Sequence, residues 1–102
     1  MRTLVLGRMP ARVTEVLATL HADGFDAEGV STDEEARKLL ETEGFGVLII
    51  GGGVEPDDRA AIKEFAAEHR VRRVIDSALT APFDAYVRRE LEPLIRETAS
   101  QG

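Results

Sequence analysis

The chain has 102 residues, 43% of them hydrophobic and 31% charged, and a formal net charge of −6. That supports one hydrophobic core and is too little for two, and the acidic balance disfavours nucleic acid or an anionic membrane as partner. The absence of cysteine excludes disulfides, thiol redox chemistry and thiolate metal sites, and no apolar run reaches the roughly 18 residues of a membrane span.

Met1-Arg2-Thr3-Leu4-Val5-Leu6 enters a strand pattern directly, without the small-residue cleavage site of a signal peptide, so a cytoplasmic protein is expected. The first strand runs from Thr3 to Gly7. Pro10 suits the first turn of a helix, in which Val13, Val16, Leu17 and Leu20 recur at i, i+3, i+4, i+7, and Gly24 is placed as a left-handed C-terminal cap. Phe25 to Val30 is a second, more polar strand, expected at an edge. Thr32 and Glu35 form a capping box for a second helix with Ala36, Leu39 and Leu40 on its inner face, ended by Gly44. Val47-Leu48-Ile49-Ile50 has no polar face, as expected of a strand buried on both sides, and Gly51-Gly52-Gly53 ends it. Pro56-Asp57-Asp58 opens a third helix burying Ala61, Ile62, Phe65 and Ala66. Val71 to Ile75 is the fourth strand. A last helix from about Pro82 to Thr98 carries Phe83, Val87, Leu91, Leu94 and Ile95 along one stripe.

Strands and helices alternating over short connections imply a three-layer, doubly wound α/β domain with a parallel sheet. Right-handed crossovers and the apolar third strand give the order 2-1-3-4. The domain covers residues 1–98, with 99–102 as a frayed tail. Ligands of such sheets bind beyond the carboxyl ends of the strands where the chain order reverses. That crevice lies between Gly7-Arg8-Met9 and Gly51-Gly52-Gly53.

The candidate ligand-binding residues are therefore Gly7, Arg8, Arg12, Gly51, Gly52 and Gly53. Backbone N–H groups of a glycine turn before a helix can cradle a phosphate, and Arg8 with Arg12, one helical turn apart, can capture an anion. The plain alternatives are a tight strand-to-helix turn, crowded by Glu55, Asp57 and Asp58, and arginines paired with Glu15, Glu55 or Asp57. Asp33-Glu34-Glu35 fits helix-dipole capping. His21 and His69 lack metal-ligand spacing, and Asp76-Ser77 lacks the third group of a triad. Arg72-Arg73 and Arg88-Arg89 read as solvated faces. No catalytic residue and no metal site is assigned, and a nucleotide is the only candidate cofactor.

As a whole the chain resembles the response-regulator receiver domain, above all at Leu79-Thr80-Ala81-Pro82-Phe83-Asp84, which is similar to the receiver's Lys-Pro-Phe turn before its last helix. The resemblance implies phosphoryl transfer to an aspartate ending the third strand, served by an acidic pair, a Thr or Ser and a lysine. Here the acceptor position falls on Gly51, the acidic pair near Gly7 and Arg8, and the lysine on Ala81, and the chain is one strand-helix unit short. What it implies is a pseudo-receiver without the phosphorylation switch. A second likeness covers about Leu4 to Pro56. Leu6-Gly7-Arg8, Ala27-Glu28-Gly29-Val30 and the glycine-ended third strand resemble the middle of a short-chain dehydrogenase, implying an NADP phosphate contact at Arg8. The glycine-rich fingerprint of that family is absent, and so is its Tyr-x-x-x-Lys, since Tyr86 is followed by Glu90.

Two functions follow as expectations. The first is a non-catalytic regulatory or protein-interaction domain, a homodimer or the binder of an unknown protein, joined through the edge formed by residues 71–75 or through the last helix. The alternative is a small module holding a nucleotide or other phosphorylated ligand at the crevice.

Overall fold

The structure, a computed structural model, describes residues 1–77 and 81–101. The expected turn residues Leu79 and Thr80, and Gly102 of the tail, lie outside the described residues. Strands β1 (Arg2–Leu6), β2 (Asp26–Val30), β3 (Val47–Gly51) and β4 (Arg73–Ser77) alternate with helices α1 (Pro10–Ala22), α2 (Asp33–Thr42) and α3 (Pro56–Glu68). A final helix, α4, spans residues 83–100. It is α-helical over Phe83–Tyr86, π-helical over Val87–Leu91 and α-helical again over Glu92–Ser100. All strand pairs are parallel, in the order β2-β1-β3-β4. This is the flavodoxin-like, doubly wound arrangement expected from the sequence.

Period-2 alternation along β1 and β3 divides the core. Leu4, Leu6, Leu48 and Ile50 face α2 and α3 with Ala36, Leu40, Ile62 and Ala66. Val5, Val47 and Ile49 face α1 and α4 with Val13, Val16, Leu20, Val87, Leu91 and Ile95. A strand covered on both sides favours apolar residues on both faces, which is why β3 reads as an unbroken apolar run.

The local signals act as expected at two helix ends. The Glu35 N–H donates to Thr32 Oγ1 at 3.2 Å, and the Thr32 hydroxyl donates back to the Glu35 carboxylate at 2.8 Å. Gly24, with φ of +87°, takes the left-handed conformation that releases α1 towards β2. Gly44 does no such thing. Helix α2 ends at Thr42, and the extended Glu43 closes it with an N–H bond to the Leu39 carbonyl at 2.8 Å.

Five expectations are corrected. Strand β4 begins at Arg73 rather than Val71, because α3 exits through Arg70 at φ of +65° and the Arg72 N–H is taken by the Gly46 carbonyl at 2.9 Å. Ala61 and Phe65 are half-buried, leaving Ile62 and Ala66 as the buried face of α3. The last helix is not a plain α-helix. Pro93 lacks an N–H and its ring would collide with the carbonyl four residues back, and the π turn over Val87–Leu91 supplies the extra residue that relieves this. Its apolar stripe packs inward, so Val87, Leu91 and Ile95 belong to the core and not to a free dimer face. The helix also continues through Ala99 and Ser100.

At Gly29 in β2, α1 packs directly against the strand backbone. A Cβ there would overlap Val13 Cγ1 and lie 2.7 Å from Leu17 Cδ1. Val13 is β-branched and has one comfortable rotamer in a helix. Gly29→Ala is therefore expected to destabilise the fold by about 1–2 kcal/mol, read from urea unfolding. An unchanged midpoint would mean that α1 is free to shift outwards.

Candidate functional site

In a parallel sheet every strand ends at the edge where the next helix begins, so loop residues from several βα units meet there. At this edge β1 and β3 open into a cavity of about 150 Å³. All six residues singled out in the sequence line it: Gly7, Arg8, Arg12, Gly51, Gly52 and Gly53. Its deeper wall, which the sequence reading did not foresee, is apolar and consists of Val5, Val13, Val16, Ile49 and Leu91, with Ser77 at one side and Met9 at the mouth. The signal for that wall was the alternation in β1 and β3, which sends Val5 and Ile49 to the α1 side.

The two arginines do not act as a pair. Helix α1 starts at Pro10, so Arg8 precedes it and swings to the α2 side. There its guanidinium donates to Asp33 Oδ1 at 2.7 Å, to the Ser31 carbonyl at 3.1 Å and to Asp58 Oδ2 at 3.4 Å. The expected partners Glu15, Glu55 and Asp57 are replaced by Asp33 and Asp58 because β2 lies beside β1, with Val30 opposite Leu6, and this delivers the start of α2 to Arg8. The bond to Asp33, then the charges of Asp33 and Asp58, raise the Arg8 pKa above its ordinary value. Arg12 turns towards α4, its guanidinium carbon 5.6 Å from the centre of the Phe83 ring. Among the described residues it has no carboxylate partner.

The glycine turn is held by a residue that sequence reasoning missed. Arg59 donates to the carbonyls of Gly51 at 2.7 Å and Val54 at 3.2 Å, and its other nitrogen reaches Asp76 Oδ1 at 2.6 Å. Lys63 takes the second oxygen of Asp76 at 2.5 Å, and these two cations, Lys63 foremost, hold that carboxyl below its usual range. Arg59 lies one turn into α3, and its spacing from the end of β3 was the available clue. Gly51 and Gly7 are closely apposed: a Cβ on Gly51 would lie 3.4 Å from Gly7 Cα and from the Leu6 carbonyl oxygen.

The remaining candidates lie elsewhere or are already engaged. Asp76 and Ser77 fall within β4, so their side chains leave opposite faces of the sheet, and the Ser77 hydroxyl donates to Tyr86 Oη at 3.0 Å. His21 bonds to the Ala27 carbonyl and His69 to the Phe65 carbonyl, each at 2.8 Å. Both stand at helix C-termini, on the edge of the sheet opposite the crevice. No group of three or more His, Asp or Glu side chains suited to a metal ion occurs among the described residues. Nor is any helix among them long and apolar enough to cross a membrane.

No protein-family model matches the sequence, and no curated protein matches it. Solved structures do match. A response regulator receiver domain protein (CheY-like) from Methanospirillum hungatei JF-1 superposes with a TM-score of 0.63 at 13% identity, over 99% of this chain and 98% of its own. A response regulator receiver domain (CheY-like) from Methylobacillus flagellatus gives 0.65 at 15% identity, over 96% and 98%. The fold is the receiver fold. At such identity the likeness reaches the architecture and stops there, because chemistry is carried by site residues.

Proposed function

We propose that this chain is a regulatory interaction domain built on the receiver fold and not switched by phosphorylation. The observation that carries this reading is the occupancy of the crevice edge. Gly51 stands where the receiver resemblance puts the phospho-acceptor, and three carboxylates at this edge of the sheet are engaged: Asp33 and Asp58 by Arg8, Asp76 by Arg59 and Lys63. A divalent cation needs several free oxygen ligands, and a phosphoryl transfer needs an unencumbered nucleophile. Arg8 brings a cation to the place where the resemblance calls for an acidic pair.

The same arrangement weakens the alternative of a phosphorylated ligand. Arg8 is neutralised by two carboxylates, and Asp57 and Asp58 occupy the first turn of the helix that would face the phosphate. For partner contact this reading assigns the outer edge of β4, since the stripe of α4 is internal. A second copy of the chain is the first partner to test there.

Incubation with acetyl phosphate and magnesium is expected to leave the intact mass unchanged and the amide spectrum unperturbed. A phosphorylated species, mapped to any side chain at this edge, would overturn the reading.

A further inference from the structure

The crevice has a feature that a regulatory scaffold does not need. It is an apolar cavity of about 150 Å³ with a cation at its mouth. A dry apolar cavity of about this size takes up a single benzene-sized body. That is too small for a base and ribose together, since sites for larger ligands run to roughly 300 Å³ and above. At the mouth, Arg12 has no carboxylate among the described residues, whereas Arg8 has two. Met9, at 51% exposed, is one of two large hydrophobic side chains left in solvent among the described residues, and it stands at this same opening.

We propose that the crevice binds a small monocarboxylate whose body is a single ring or branched alkyl group. The body fills the space between Val13, Val16, Ile49 and Leu91 and is covered by Met9, and the carboxylate meets Arg12. A planar carboxylate with one charge matches one planar guanidinium in a bidentate pair. A phosphate dianion would demand a second cation and would sit beside the carboxylates that Arg8 carries. Closeness of the Phe83 ring to Arg12 (5.6 Å) restricts the guanidinium before any ligand arrives.

Benzoate is the probe, with benzyl alcohol as its neutral counterpart and inorganic phosphate as its charged one, each titrated into the full chain while amide shifts are followed. Benzoate is expected to bind at least tenfold more tightly than benzyl alcohol, with shifts centred on Gly7, Val16 and Gly51. Arg12→Gln, an exposed substitution, is expected to erase that preference. Val16→Leu, which places an extra methylene in the cavity, is expected to weaken both ring compounds. Equal affinity for benzoate and benzyl alcohol, no binding of either, shifts away from the crevice, or tighter binding of phosphate would each overturn the proposal. None of these results bears on the absence of phosphorylation, so the two readings fail separately.

Discussion

Leu48→Ala is expected to cost about 2–5 kcal/mol of unfolding free energy. Leu48 is fully buried in β3, in register with Leu4 on one side and Val74 on the other. Its side chain lies in the α2–α3 half of the core, walled by backbone that is hydrogen-bonded on both sides and cannot collapse into the space left behind. Domains of this size have only about 5–15 kcal/mol in total, so the variant should melt roughly 10–40 °C lower. Urea unfolding with an unchanged slope would locate the loss in the folded state. A loss below about 1 kcal/mol would mean that the helices close the gap, contrary to a core packed to native density.

Glu92→Gln should act in the opposite direction, by an amount that grows as pH rises above about 4.5. Glu92 is 3% exposed, and one of its carboxylate oxygens has no hydrogen-bond partner. Burial first, and then the neighbouring carboxylate of Asp23 at the end of α1, push its pKa up to about 7 against the pull of Arg96 and Arg88. A carboxyl whose pKa is higher folded than unfolded stabilises the protein fully below the unfolded value, and that stability is lost as pH rises through the folded value. The chain should therefore weaken between about pH 4.5 and pH 7, by roughly 2–3 kcal/mol. Asp23 works in the other sense. Arg88, bonded to it at 2.9 Å, lowers its pKa, so its contribution disappears only as pH falls below the ordinary carboxylate range. Glutamine keeps the shape of Glu92 and cannot ionise. The variant should be the more stable protein at about pH 8.5 and close to the parent only at about pH 4. Parallel pH profiles for the two proteins would exclude Glu92 as the titrating group.

The fold was legible because its signals are local and repeated. Four glycine- or proline-marked alternations, one apolar strand and one capping box at Thr32 and Glu35 suffice to order the sheet. What escaped the sequence depends on contacts distant along the chain. The exit of α3 through Arg70 is set by hydrogen bonds from residues 71–73 to Ala66 and Gly46, which no window around Val71 contains. The π turn follows from Pro93, whose meaning emerges only when the helix is required to continue beyond it. The site divides in the same way. Six of its lining residues were legible from topology, because the reversal of strand order fixes where loops meet. Their electrostatics were not, because Asp33 and Asp58 reach Arg8 from two separate loops and Arg59 reaches back from α3 to Gly51.

The strand order also has a consequence in time. Each strand pairs only in parallel, and β1 must hold β2 on one side and β3 on the other, with Thr3 opposite Val47. No pair can therefore form as a hairpin, and each must close a loop containing a whole helix. The central pair is the last of the β1 contacts to become reachable as the chain lengthens from its N-terminus. Until residues 47–51 arrive, one side of β1 has its hydrogen-bonding groups open. A small domain with this order belongs among the folders limited by non-local contacts, in the range of milliseconds and slower rather than microseconds. The longest of these searches along the chain is the one that brings Val47 to Thr3.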